Sequence, residues 1–272
     1  MRVDSGGVGL HVDVSGPEDG PAVVLLHGFP DSGRLWAKQV PALAGAGYRV
    51  IVPDLRGYGQ SDQPAEVDAY NLLFLAADVG AVLDAVGVEK AHVIGHDWGA
   101  AVAWGVASFA PDRVDHLVVL SVGHPSSFAG AGLEQREKSW YMLLFQFEGI
   151  AEQWLSADGW ANLREWGNHP DADAVIAELE ANGSLTPGLN YYRANVHPRV
   201  FVEPPLELPP VTVPTMGVWS SGDMALTEKQ MTGSAAFVSA PWRYERLDGP
   251  GHWMQWEEPQ KVNTLLLDFL AK

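Results

Sequence analysis

Asp97 stands where a carboxylate can do chemistry. It lies in His92-Val93-Ile94-Gly95-His96-Asp97-Trp98-Gly99-Ala100-Ala101, where an apolar strand pattern passes through glycine-flanked residues into an alanine-rich helix. Glycines on either side permit a strained backbone at the central residue, so its side chain can project above a sheet. The following helix offers unpaired N–H groups and the positive end of its dipole. One reading of Asp97 is a helix cap, a common job for aspartate. The other is a nucleophile, because a carboxylate can displace a leaving group at saturated carbon and form an alkyl ester with the protein. Water must then attack the carbonyl of that ester. That step needs a general base, and N–H donors for the oxyanion it creates. Histidine is a near-neutral base without special tuning. Of the nine histidines, His252 stands out by its glycine-rich approach, Gly249-Pro250-Gly251-His252-Trp253-Met254.

The elements that must position these groups alternate along the chain. Val8 to Ser15 alternates apolar and polar residues, as a hairpin strand does, and Gly16-Pro17 ends it. Short apolar runs follow at 22–26, 48–52, 91–94 and 116–120, the pattern of strands buried on both faces. Between them, Tyr70 to Val86 carries apolar residues at Leu72, Leu75, Ala76, Val79, Val82, Leu83 and Val86, one face of a helix. Such alternation predicts an α/β fold with a parallel, doubly wound sheet. It breaks after Pro125. Residues 127–208 mix aromatic and polar side chains at helical spacing and close on Pro204-Pro205 and Pro209-Pro210, a stiff re-entry. Strands are predicted again over Val211 to Trp219 and Trp242 to Leu247. A last helix carries a core stripe at Val262, Leu265, Leu266, Phe269 and Leu270. The organisation expected is a sheet domain over 1–126 and 209–272, interrupted by a helical lid over 127–208.

Composition bounds the partners. With 272 residues, 47% of them hydrophobic, the chain can bury a core without a metal or disulfide staple. It has no cysteine, which excludes disulfides and thiolate catalysis and fits a reducing compartment. A formal net charge of −17 disfavours nucleic acid and anionic lipid. No apolar run approaches a membrane span, and the N-terminus lacks the apolar stretch of a signal peptide. The expectation is a cytoplasmic protein with no nucleic-acid or membrane partner, as a monomer or a homodimer.

The decapeptide resembles the nucleophile elbow of the α/β-hydrolases, with aspartate in place of the usual serine. Leu26-His27-Gly28-Phe29-Pro30 resembles the superfamily's His-Gly-x-Pro loop, and Asp54-Leu55-Arg56-Gly57-Tyr58-Gly59 its Asp-x-Arg-Gly-x-Gly loop, read here as scaffold. This resemblance implies an oxyanion hole from the N–H groups of Phe29 and Trp98, both of which then line the substrate site. It also implies the chain order nucleophile, acid, histidine. Asp223, after the strand that ends in Trp219, is then the acid that orients His252, with Asp248 as runner-up. In the superfamily's other arrangement the acid follows the strand ending at Leu120. There the chain has Ser121-Val122-Gly123-His124, without a carboxylate.

Two further stretches resemble lid motifs of epoxide hydrolases: Tyr141-Met142-Leu143-Leu144-Phe145-Gln146-Phe147-Glu148-Gly149 and Leu189-Asn190-Tyr191-Tyr192-Arg193. The resemblance implies that Tyr141 and Tyr192 hold and protonate an epoxide oxygen, and that no cofactor or metal takes part. It implies water and a small apolar epoxide as the substrates, the latter in keeping with eleven tryptophans. The chain departs from the family at Asp31-Ser32-Gly33-Arg34-Leu35-Trp36 and at Phe147-Glu148-Gly149. Both can reshape the pocket wall, and neither removes a reacting group. A haloalkane dehalogenase shares the Asp-Trp elbow but needs a second halide donor, which the Phe29 side chain does not offer. A non-catalytic binding protein on the same fold is the other alternative, although a pure receptor does not need nucleophile, base, acid and two phenols together.

Overall fold

The computed structural model describes residues 1–202 and 208–271. Pro204-Pro205 lies outside them. Along the chain run β1 (Arg2–Ser5), β2 (Val8–Ser15), β3 (Ala22–Leu26), α1 (Val40–Gly45), β4 (Arg49–Pro53), α2 (Leu72–Ala85), β5 (Ala91–His96), α3 (Trp98–Phe109) and β6 (Val114–Leu120). Six helices come next: α4 (Pro125–Ala129), α5 (Leu133–Lys138), α6 (Trp140–Leu144), α7 (Ile150–Gly167), α8 (Ala172–Asn182) and α9 (Leu185–Asn195). The chain then returns through β7 (Thr215–Ser220), α10 (Glu228–Thr232), β8 (Trp242–Leu247), α11 (Met254–Glu257) and α12 (Pro259–Leu270).

The strands form one sheet in the order β1-β2-β4-β3-β5-β6-β7-β8. The β1–β2 and β2–β4 pairings are antiparallel, and from β4 to β8 every pairing is parallel. Burial on both faces explains why β3 and β5 are buried at every position and read as short, largely apolar runs. One face packs on α2 and α3 through Val24, Leu26, Val93, Leu117 and Val119. The other packs on α1 and α12 through Val23, Leu25, Ile94, Val118 and Val218. Each such aliphatic side chain contributes about 1.5–3 kcal/mol when fully buried.

Element ends shift from the sequence pattern by a residue or two in several places, and two departures are larger. The predicted strand at Val211 begins only at Thr215, because Pro214 lacks the N–H a central ladder requires; Val211 makes an isolated bridge to Val238 instead. Within α7, Ala157, Asp158, Gly159 and Trp160 leave helical geometry, so this helix is two segments meeting at a kink.

Candidate active site

Asp97 links the carboxyl end of β5 to α3, with φ +52° and ψ −122°. A positive φ is uncommon for a residue with a Cβ, so the surroundings must hold it there. They are close: a Cβ on Gly95 would collide with the Gly99 carbonyl, and one on Gly99 with that of Leu26. Only glycine on both sides lets strand and helix approach this tightly. The Asp97 side chain makes no capping bond to α3. Its Oδ1 instead accepts from the Phe29 amide at 2.8 Å. Trp98 opens α3, and its amide has no acceptor within that helix.

The Phe29 loop is braced from behind. His27 Nε2 accepts from the Leu55 amide at 2.9 Å, which leaves Nδ1, 3.1 Å from the Gly28 carbonyl, as the ring's donor. Asp54 accepts from the amides of Gly33 and Gln60, and Arg56 forms a buried ion pair with Asp78. The Asp-x-Arg-Gly-x-Gly stretch is thus a frame under the loop.

His252 follows β8, and its Nε2 lies 3.5 Å from Asp97 Oδ2. On its other side, Nδ1 lies 3.0 Å from Asp223 Oδ2. Asp223 comes directly after β7, and its Oδ1 accepts from the amides of Ala225 and Leu226, both at 2.9 Å. Burial pulls the His252 pKa down, but two adjacent carboxylates, Asp223 foremost, overcome it and push the value up to about 10. Burial likewise raises the Asp223 carboxyl, yet His252 and the surrounding donors leave it below the ordinary value. Asp248 pairs with Arg246 in an exposed position and takes no part.

Tyr141 on α6 and Tyr192 on α9 line the cavity that Asp97 opens into, with ring centroids 5.9 Å apart. Burial first, then the charge of Asp97, raises both phenols well above their usual pKa, so both stay protonated as donors. The two helices are tied together by Arg193, which donates to the Phe145 carbonyl and to Glu152. Glu152 also accepts from the Gly149 amide, so the Phe-Glu-Gly departure still closes the turn before α7. To the sheet domain α9 is fastened by Tyr191, which donates to the Arg56 carbonyl, and by Asn195, which bonds Leu72 and Tyr70. Trp98 packs edge-on against Tyr192, with ring centroids 5.0 Å apart.

The cavity beside Asp97 has a volume of about 530 Å³ and is walled by Leu72, Phe109, Val122, Phe128, Met142 and Val196 among others. Asp97, Tyr141 and Tyr192 also line a second recess of about 20 Å³, with His252, Leu163, Trp166 and Ile176. That is room for a single water.

Several residues around this centre escaped the sequence reading. His96, beside Asp97, donates from Nε2 to the His252 carbonyl at 2.9 Å; burial, then the nearby His252 charge, lowers it to about 4, so it is a neutral anchor. Asp31 accepts from Trp253 Nε1 at 2.9 Å and faces His169 of the inserted helices at 3.2 Å, fixing the residue next to His252. Ser121 contacts both Asp223 and His252. The only signal for Asp31 was its place directly after the His-Gly-Phe-Pro motif.

A carboxylate elbow with an acid–histidine pair on this sheet defines an α/β hydrolase, and the family described as alpha/beta hydrolase fold matches residues 21–259. The chain is 34% identical to epoxide hydrolase A of Mycobacterium tuberculosis over 99% of its own length and 96% of the relative's. It is 32% identical to epoxide hydrolase 3 of Xenopus tropicalis, covering all of this chain and 77% of that one. Among solved structures, an epoxide hydrolase of Bacillus megaterium in complex with an inhibitor superposes over the whole of both chains with a TM-score of 0.91 at 27% identity. The chain belongs to the epoxide hydrolases of the α/β-hydrolase superfamily.

Proposed function

We propose that the protein opens epoxides to vicinal diols through an ester on Asp97. Asp97 attacks an epoxide carbon from the large cavity while Tyr141 and Tyr192 donate hydrogen bonds to the oxygen. Ring opening leaves an alkoxide that must take up one proton. His252 enters the cycle as an imidazolium and must become neutral to act as a base. The proton it gives up equals the one the alkoxide needs, relayed over the phenols. Esterification also removes the Asp97 charge, one of the two that hold this proton, so His252 gives it up more readily once the ester exists.

Neutral His252, oriented by Asp223, then takes a proton from water in the small recess. The hydroxide attacks the Asp97 carbonyl carbon. The amides of Phe29 and Trp98 hold the oxyanion, the diol leaves, and Asp97 carboxylate and His252 imidazolium are restored. The helices over residues 127–208 serve as a lid that carries the two phenols and walls the cavity. The substrate is a small apolar epoxide, in keeping with the hydrocarbon lining.

The observation that carries this reading is the division of the Asp97 carboxylate: Oδ1 rests on the Phe29 amide and Oδ2 faces His252, with both phenols on the same cavity. As a helix cap, Asp97 would instead bond the first turn of α3. A single turnover in labelled water tests the covalent route directly.

A further inference from the structure

Ser121 follows β6 at the point where the superfamily's other arrangement carries its acid, and it is fully buried. Its φ of +72° is a conformation that serine adopts at a cost and glycine adopts freely. The backbone is pinned there: its N–H donates to the Val218 carbonyl at 2.9 Å, and its carbonyl accepts from Gln230 Nε2 at 2.8 Å. Gln230 Oε1 in turn accepts from the Gly123 amide, so one side chain holds the whole turn. The result aims the Ser121 hydroxyl at the acid–base pair. Its Oγ donates to Asp223 Oδ2 at 2.5 Å and lies 2.9 Å from His252 Nδ1.

We propose that Ser121 is a positioning residue for the Asp223–His252 pair, a role that rests on the Asp97 ester route above. An ionised carboxylate offers about four acceptor sites. Asp223 fills them with the amides of Ala225 and Leu226 on Oδ1, and with Ser121 and His252 on Oδ2. The two amides fix one oxygen. Without the serine hydroxyl the other is held by His252 alone, the very group it must orient. Ser121 therefore keeps the carboxylate plane directed at Nδ1 while the His252 charge comes and goes. A serine there for packing alone gains nothing from a conformation that glycine adopts without strain.

The test separates ester formation from ester hydrolysis, by rapid quench and intact mass, during a single turnover of styrene oxide. Ser121→Ala and Ser121→Gly both lack the donor, but glycine relieves the backbone strain. Both should slow ester hydrolysis by between about tenfold and a hundredfold, the worth of one hydrogen bond to a charged group, and much more than they slow ester formation. Ser121→Asn, which tolerates positive φ and carries an N–H donor, should recover most of the loss. Wild-type hydrolysis rates in the alanine and glycine variants would overturn the proposal. So would an equal loss in both steps, or in all three variants. If the wild-type protein forms no Asp97 ester at all, it is the nucleophile assignment that fails, and this proposal falls with it.

Discussion

Neutralising Asp97 should release the proton on His252. The substitution Asp97→Asn removes the charge while keeping the shape, and so imitates the esterified carboxylate. His252 Nε2 lies 3.5 Å from Asp97 Oδ2. Two unit charges at that distance interact by about 1 kcal/mol in a water-like medium and about 5 kcal/mol at an effective dielectric of about 20. At about 1.4 kcal/mol per decade, the hold on the proton weakens between about tenfold and a few thousandfold. Because His252 is only 4% exposed, the larger figures are the better guide. From a starting value of about 10, the midpoint should move down toward the ordinary histidine range, with Asp223 still favouring the charged ring. The assay is an NMR titration of ¹⁵N-histidine-labelled protein, with the His252 signals assigned by their loss in His252→Gln. Identical midpoints in wild type and Asp97→Asn would refute the idea that the nucleophile's charge gates the base.

Further outcomes follow from the same geometry. His252→Gln should still form the Asp97 ester but fail to hydrolyse it, so intact mass should show a persistent adduct; normal turnover would mean another base. Tyr141→Phe and Tyr192→Phe should each slow ring opening by roughly 10²-fold while leaving the hydrolysis of preformed ester much less affected. Unchanged rates in both would reduce the two phenols to packing. Stability should peak near pH 6.5. Folded His252 keeps its proton to about pH 10, whereas the unfolded chain releases it near 6.5, so its contribution is complete below pH 6.5 and is lost as pH rises through 10. His92, His96 and His124 lie the other way, buried and lowered to about 4, so their contribution is lost as pH falls from 6.5 toward 4. Chemical denaturation across pH would reveal a flat profile if these shifts were absent.

What the sequence disclosed about the site was what local motif and chain order encode. Asp97 announces itself through flanking glycines that a tight strand-to-helix turn demands, and His252 and Asp223 through loops at strand ends. Tyr141 and Tyr192 became visible only through resemblance, since isolated tyrosines in so aromatic a segment look like packing. Ser121 was read only for the carboxylate it lacks. Its contact to Asp223 spans 102 positions, and only the pairing of β6 with β7 creates it. His96 and the Asp31–Trp253 bond are likewise products of long-range packing, spanning 156 and 222 positions. No periodicity records them. The parallel sheet was legible because burial on both faces leaves short, largely apolar runs, whereas the late start of β7 and the kink in α7 turn on single prolines, glycines and backbone angles.

The central claim is that Asp97 itself is alkylated and then hydrolysed at its own carbonyl carbon. A single turnover with enzyme in excess over styrene oxide, in H₂¹⁸O, followed by peptide mass analysis, tests it most directly. The ester route predicts ¹⁸O in the Asp97 carboxylate and unlabelled oxygen in the diol. Label in the diol with none in Asp97 would mean that water attacks the epoxide directly, and would contradict the account.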